Sequence, residues 1–131
     1  MSGITELEQL LKSMEPKLID TEFVFCSVAG QLADYAWLNP RATFYEAEGL
    51  TLVLEKQIAQ NAGLQFDSVF RQITLTVHSS LDAVGLTAAV STKLADKGIS
   101  ANVIAAYYHD HIFVQSFKAD LALSALKEFV A

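Results

Sequence analysis

Cysteine is almost missing from this chain: Cys26 stands alone among 131 residues. One thiol excludes an intramolecular disulfide and any multi-cysteine metal site. Its place in the apolar run 23–28 predicts a buried, inert side chain. Cationic residues are scarce as well, nine Lys and Arg against 15 Asp and Glu, for a formal charge of −6 and a pI near 4.9. Such a surface repels phosphate backbones, and no Lys/Arg cluster interrupts it, so nucleic acid is excluded as a partner. No apolar run approaches the roughly 20 residues that a membrane-spanning helix needs. The first residues show no basic stretch followed by an apolar one, as a secretory leader would. A cytoplasmic protein without membrane contact is therefore expected. The sequence also lacks a dinucleotide-binding glycine motif, a P-loop, H-E-x-x-H, G-x-S-x-G and EF-hand spacing, so no catalytic residue, cofactor or metal is assigned.

What is present is apolar. Hydrophobic residues make up 52% and charged residues 18%, enough for one compact domain or two small lobes sharing a core. Leu7, Leu10, Leu11, Met14 and Leu18 follow helical spacing, predicting a helix over 5–14 that Glu15-Pro16 stops. An apolar strand follows at 23–28. A loop with Asp34, Tyr35, Trp37 and Leu38 comes next, then strands at 43–47 and 50–55 around Glu48-Gly49, and a short helix over 56–62 closed by Gly63. The second half repeats this order. Ile73, Leu75 and Val77 alternate with Gln72, Thr74, Thr76 and His78, so that strand has one apolar and one polar face. Ser80 or Asp82 can cap the next helix, whose Leu86, Ala89, Val90 and Leu94 share a face up to Gly98. Strands at 101–108 and 112–116 flank a turn around His109-Asp110, and a last helix covers 119–130. Both halves thus read strand, loop or helix, strand, strand, helix, and divide the chain into lobes at 1–65 and 66–131, with no Gly/Ser or Pro linker between them.

The loop 79–86 is the principal candidate site. A strand entering a helix leaves N–H groups unpaired at the helix start, and these, with the helix dipole, favour a carboxylate. Gly85 permits close approach of a ligand or of another backbone, and Asp82 can pair an ammonium group. Asn102, on the following strand, offers a donor and an acceptor. Each has a structural alternative: Asp82 as a cap, Gly85 as a packing glycine, Asn102 as a tie between loop and strand. His109 and His111 suggest a metal pair or an acid–base dyad. Two ligands make no stable site, however, and no nucleophile stands nearby, so turn and packing roles are expected. Glu46, Glu48 and Glu55 read as solvated hairpin charges. Tyr35 and Trp37 read as packing aromatics that also have the reach to cover a pocket between lobes.

The motifs SSLDAVGLTAAV and NVIAAYYHDHIFV, together with EAEGLTLVLE, resemble the ACT domain. The likeness is nearest to an uncharacterised bacterial family of small proteins with two ACT-like lobes, and more distant to aspartokinase regulatory domains and ACT-type amino-acid sensors. It implies an α+β fold of tandem ferredoxin-like (ACT-like) lobes, antiparallel sheets with helices packed on one face. It also implies a non-catalytic regulatory module binding a small amphoteric molecule, an amino acid, through Asp82, Ala83, Val84, Gly85, Leu86 and Asn102. A homodimer and a separate effector protein are the implied partners. One departure stands out: Asp82-Ala83-Val84-Gly85 keeps the acid and the glycine common in amino-acid-binding ACT loops but lacks their proline. The competing readings are a structural or oligomerisation module without ligand, and a small hydrolase or transferase using His109 or His111.

Overall fold

The structure, a computed structural model, describes residues 2–77 and 85–130. Its secondary structure runs α1 (Ser2–Ser13), β1 (Pro16–Val28), α2 (Leu32–Tyr35), a 3-10 turn (Ala36–Leu38), β2 (Ala42–Glu46), β3 (Gly49–Glu55), α3 (Lys56–Asn61), β4 (Val69–Leu75), α4 (Leu86–Asp96), β5 (Asn102–Ala105), β6 (Asp110–Gln115), a second 3-10 turn (Ser116–Lys118) and α5 (Ala119–Lys127). The chain forms two compact units, a larger one of Met1–Asp20 with Arg71–Ala131 and a smaller one of Thr21–Phe70. The expected boundary at 65/66 follows chain order, whereas these units do not. The first helix belongs to the larger unit because Leu7, Leu10 and Leu11 pack on that unit's core and Met14 is wholly buried in it.

In the smaller unit the strand order is β2-β3-β1. The antiparallel register sets Val24 opposite Leu54, Cys26 opposite Leu52 and Val28 opposite Leu50. Because strand side chains alternate, these residues share a face. Leu32, Tyr35, Ile58 and Ala62 of the helical segments pack on it, around buried Leu38 and Ala59. On the other face the Arg41 guanidinium lies 4.8 Å from the centre of the buried Phe23 ring.

In the larger unit the order is β1-β4-β6-β5, with the β5–β6 pair in antiparallel register from Asn102↔Phe113 to Ala105↔Asp110. Ile73 and Leu75 of β4, with Ile112 and Val114 of β6, form the apolar face beneath Leu86, Val90 and Leu94 of α4 and Ala119, Ala122, Ala125 and Leu126 of α5. Gly98 ends α4 at φ +74°, and Ile99 N–H closes back on the Leu94 carbonyl at 2.9 Å, a Schellman geometry that only a left-handed residue allows cheaply. Lys93 of α4 and Lys97 at its C-cap reach the Glu128 carboxylate just after α5 at 2.8 and 3.5 Å. The Lys93 hydrogen bond and charge, with Lys97 beside them, hold that carboxyl below its ordinary range.

The α+β tandem architecture matches expectation, but several element bounds differ. β1 starts at Pro16, not at 23, a position where proline needs no ladder partner. The mixed stretch Lys17–Glu22 pairs because neighbouring strands demand it, and Leu18 packs on the core from a strand, not from a helix. β4 lies at Val69–Leu75, earlier than the alternation suggested, and β5 ends at Ala105. The hairpin turn therefore precedes Asp110, closed by Ala106 N–H on the His109 carbonyl. Among the described residues, no helix is long and apolar enough to cross a membrane.

Ile73 carries the larger core at zero exposure. Ile73→Ala is expected to lower unfolding free energy by about 2–5 kcal/mol, read from the urea midpoint at unchanged slope.

Candidate functional site

The crossover from β4 to α4 is anchored at its start. Thr76 donates to the Glu15 carbonyl through both its hydroxyl (2.8 Å) and its N–H (3.3 Å), fixing where the chain leaves the strand. Asp82, Ala83 and Val84, with Ser80, lie outside the described residues. At the far end Gly85 occupies the N-cap of α4 at φ +100°, and no side chain caps the helix. The N-cap falls at Gly85, three residues beyond Asp82, and the expected capping by Ser80 or Asp82 lies outside the described residues. Gly85 has no side chain with which to cap the first-turn N–H groups of α4.

Gly85 serves packing as well. A methyl group there would sit 3.2 Å from Leu7 Cδ2 of α1, so any side chain would require Leu7 to give by a few tenths of an ångström. Leu86 is buried at 2% exposure and faces the core. Asn102 is exposed, and its Nδ2 donates to the carbonyl of Phe113, its partner across the β5–β6 ladder, at 3.1 Å. It ties strand to strand.

The other candidates are dispersed. His109 closes the hairpin turn, while His111 lies within β6, where its Nδ1 stands 3.1 Å from Gln72 Nε2 and 3.0 Å from Thr74 Oγ1. Among the described residues, no group of three or more His, Cys, Asp or Glu is placed to hold a metal ion. Glu46 accepts from the Thr51 hydroxyl at 2.7 Å. Glu55 lines a shallow polar cleft of about 200 Å³ with Thr21, Glu22, Lys56, Gln57 and Gln60, where Lys56 pairs with Glu22 at 3.5 Å. Tyr35 donates to the Ala29 carbonyl at 2.6 Å and packs on the smaller core. Trp37 is not a core residue: it is 75% exposed, held only by an indole N–H to the Asp34 carbonyl. Cys26 is buried, and loss of solvation pushes its thiol up, keeping it protonated.

The sequence reading missed the burial of Gln72. Its place in the alternation was clear, but alternation marks a polar face without telling whether water reaches it.

Comparison with known proteins agrees with this architecture. Two ACT-domain family models match, over residues 2–71 and 67–128. A Vibrio cholerae protein of unknown function, described as a possible transport protein, is 63% identical, over 98% of this chain and 99% of that one, with a TM-score of 0.91. An Agrobacterium tumefaciens protein at 16% identity covers 89% of each chain with a TM-score of 0.75. The ligand-free regulatory subunit of aspartate kinase from Thermus thermophilus, 10% identical, matches over 89% and 98% with a TM-score of 0.64. The last two show the fold. No curated protein matches the sequence. The chain belongs to the ACT domain family and carries two such domains.

Gly85→Ala combines a left-handed φ with the Leu7 contact. It is expected to destabilise the protein by about 1 kcal/mol or more, measured by urea unfolding. Cys26 is expected to resist an aromatic disulfide reagent in the folded protein and to react fully in denaturant; rapid labelling of the native form would contradict the burial.

Proposed function

We propose that this protein is a non-catalytic, cytoplasmic regulatory module that binds an amino acid at the crossover between β4 and α4. The observation that carries the reading is the α4 N-terminus, a helix start whose N-cap is Gly85, in a chain made of two ACT domains. Membership of that family supports a ligand-binding regulatory role, and the helix start supports an anionic ligand group. In this reading the N–H groups of residues 83–86 hold the α-carboxylate, Asp82 pairs the α-ammonium, and the Asn102 carbonyl oxygen fixes orientation. The functional lobes are the successive segments 1–65 and 66–131. Ligand binding shifts the balance between two arrangements of a homodimer or of an effector complex, and acts only to the extent that the two bind the ligand unequally.

An assembly role without ligand is the second reading, favoured by β2. That strand has one neighbour in the order, and it exposes Phe44 at 71% and Tyr45 at 60%. Paired edges of this kind join copies.

Thermal unfolding against the twenty amino acids at millimolar concentration separates the two. A ligand at a hundred times its Kd adds about 2.7 kcal/mol of stability, a shift of several degrees. One selective response, lost in an Asp82→Ala variant of unchanged fold, is expected. A flat panel on folded protein, with self-association that Phe44→Lys abolishes, would move the assignment to assembly.

A further inference from the structure

The smaller unit has a strand-to-helix connection of its own, where β1 passes into α2 through Gly30 at φ +110°. Here the chain supplies its own hydrogen-bond partners. The Gln31 N–H donates to Asp34 Oδ2 at 3.1 Å, and the Leu32 N–H donates to the Tyr45 hydroxyl of β2 at 2.8 Å. The Asp34 N–H turns back to the Gln31 carbonyl at 2.9 Å. On the acceptor side, the Ala29 carbonyl takes the Tyr35 hydroxyl at 2.6 Å, and the Asp34 carbonyl takes the Trp37 indole N–H at 3.1 Å.

The space beside the turn is filled as well. A methyl group at Gly30 would meet Asp34 Oδ2 at 2.9 Å and the Tyr35 ring at 3.5 Å, so the carboxylate and the ring lie against the turn. An incoming carboxylate would have to displace Asp34, which is tethered three residues from its donor and so acts at a high effective concentration. It would also approach the negative charge of that side chain, and like charges brought together cost free energy. Tyr45 is held to its task by register: it pairs with Leu50, whose side chain belongs to the smaller core, so both lie on the face where α2 packs.

We infer that Asp34 and Tyr45 act as built-in ligands that close the β1–α2 connection to an external carboxylate, an autoinhibitory contact within the smaller unit. Taken with the reading of the β4–α4 crossover as the amino-acid site, on which the count rests, the chain has one such site although it carries two ACT domains. The repeat of elements is then not a repeat of function. The two closing groups have separate origins, Asp34 from α2 itself and Tyr45 from β2, 13 residues beyond the Leu32 N–H it receives. Each can therefore be removed without the other.

The test reads backbone amides of the isotopically labelled full chain by nuclear magnetic resonance. Without any ligand, the Gln31 and Leu32 amides are expected to exchange with solvent about tenfold more slowly than in an unfolded chain. Asp34→Ala is expected to release Gln31 alone, and Tyr45→Phe to release Leu32 alone. Free exchange of both amides in folded wild-type protein would overturn the closure, even if neither variant folds. The same spectra are then recorded with sodium acetate and with each of the twenty amino acids at millimolar concentration. Gln31 and Leu32 are expected to hold still throughout, and a saturable shift of either refutes the closure. Protected, unmoved amides here, with Gly85 and Leu86 silent to every compound, would sink the ligand reading of the β4–α4 crossover and leave the closure standing.

Discussion

Everything in this molecule depends on the two-residue alternation of its strands beneath helices. An extended chain turns successive side chains to opposite sides, so a strand that puts Ile73 and Leu75 under α4 and α5 must put Gln72 and Thr74 on the other side. The same constraint aligns Ile112 and Val114 with the helices and turns His111 away from them. In the smaller unit it gathers Val24, Cys26, Leu50, Leu52 and Leu54 into one core. Burying these faces supplies the apolar free energy of folding. Displacing any strand by one residue would exchange core for polar face along its length.

The same geometry requires a strand-to-helix crossover between β4 and α4. A β–α connection must release the chain from the sheet and restart it as a helix, and the restart leaves N–H groups pointing outward. Here Thr76 pins the exit to the Glu15 carbonyl, and Gly85 begins the helix against Leu7. A glycine at the cap serves two ends at once: it lets α1 approach, and it puts no side chain over the first helical turn. Packing and binding are therefore compatible readings of this residue, and a family membership shared by both halves places the crossover in a recurring architectural setting.

Much of the fold was legible in the residues because local chemistry set it. The helix stop at Glu15-Pro16, the Gly98 cap, the alternation of β4 and the burial of Cys26 each follow from one or two side chains acting on their own neighbourhood. The site was legible in part. Gly85 could be singled out as a conformational necessity, but Asn102 reads identically as a ligand contact or as a strand tie, and the tie to Phe113 appears only once β6 lies beside β5. Trp37 shows the converse, an aromatic whose size suggested packing and which the fold leaves exposed.

Sequence alone determined the order of elements, the two-lobe repeat and the residues that must face a core, since periodicity and turn chemistry act within a few residues of each other. Tertiary structure decided the rest. It drew Lys17–Glu22 into a strand, assigned the first helix to the core of the larger unit, and buried the amide of Gln72 beside an imidazole 39 positions away. The reason is one of range. Propensity is a property of neighbours in the chain, whereas pairing, burial and the meeting of polar groups are properties of neighbours in space, and only the folded chain specifies those.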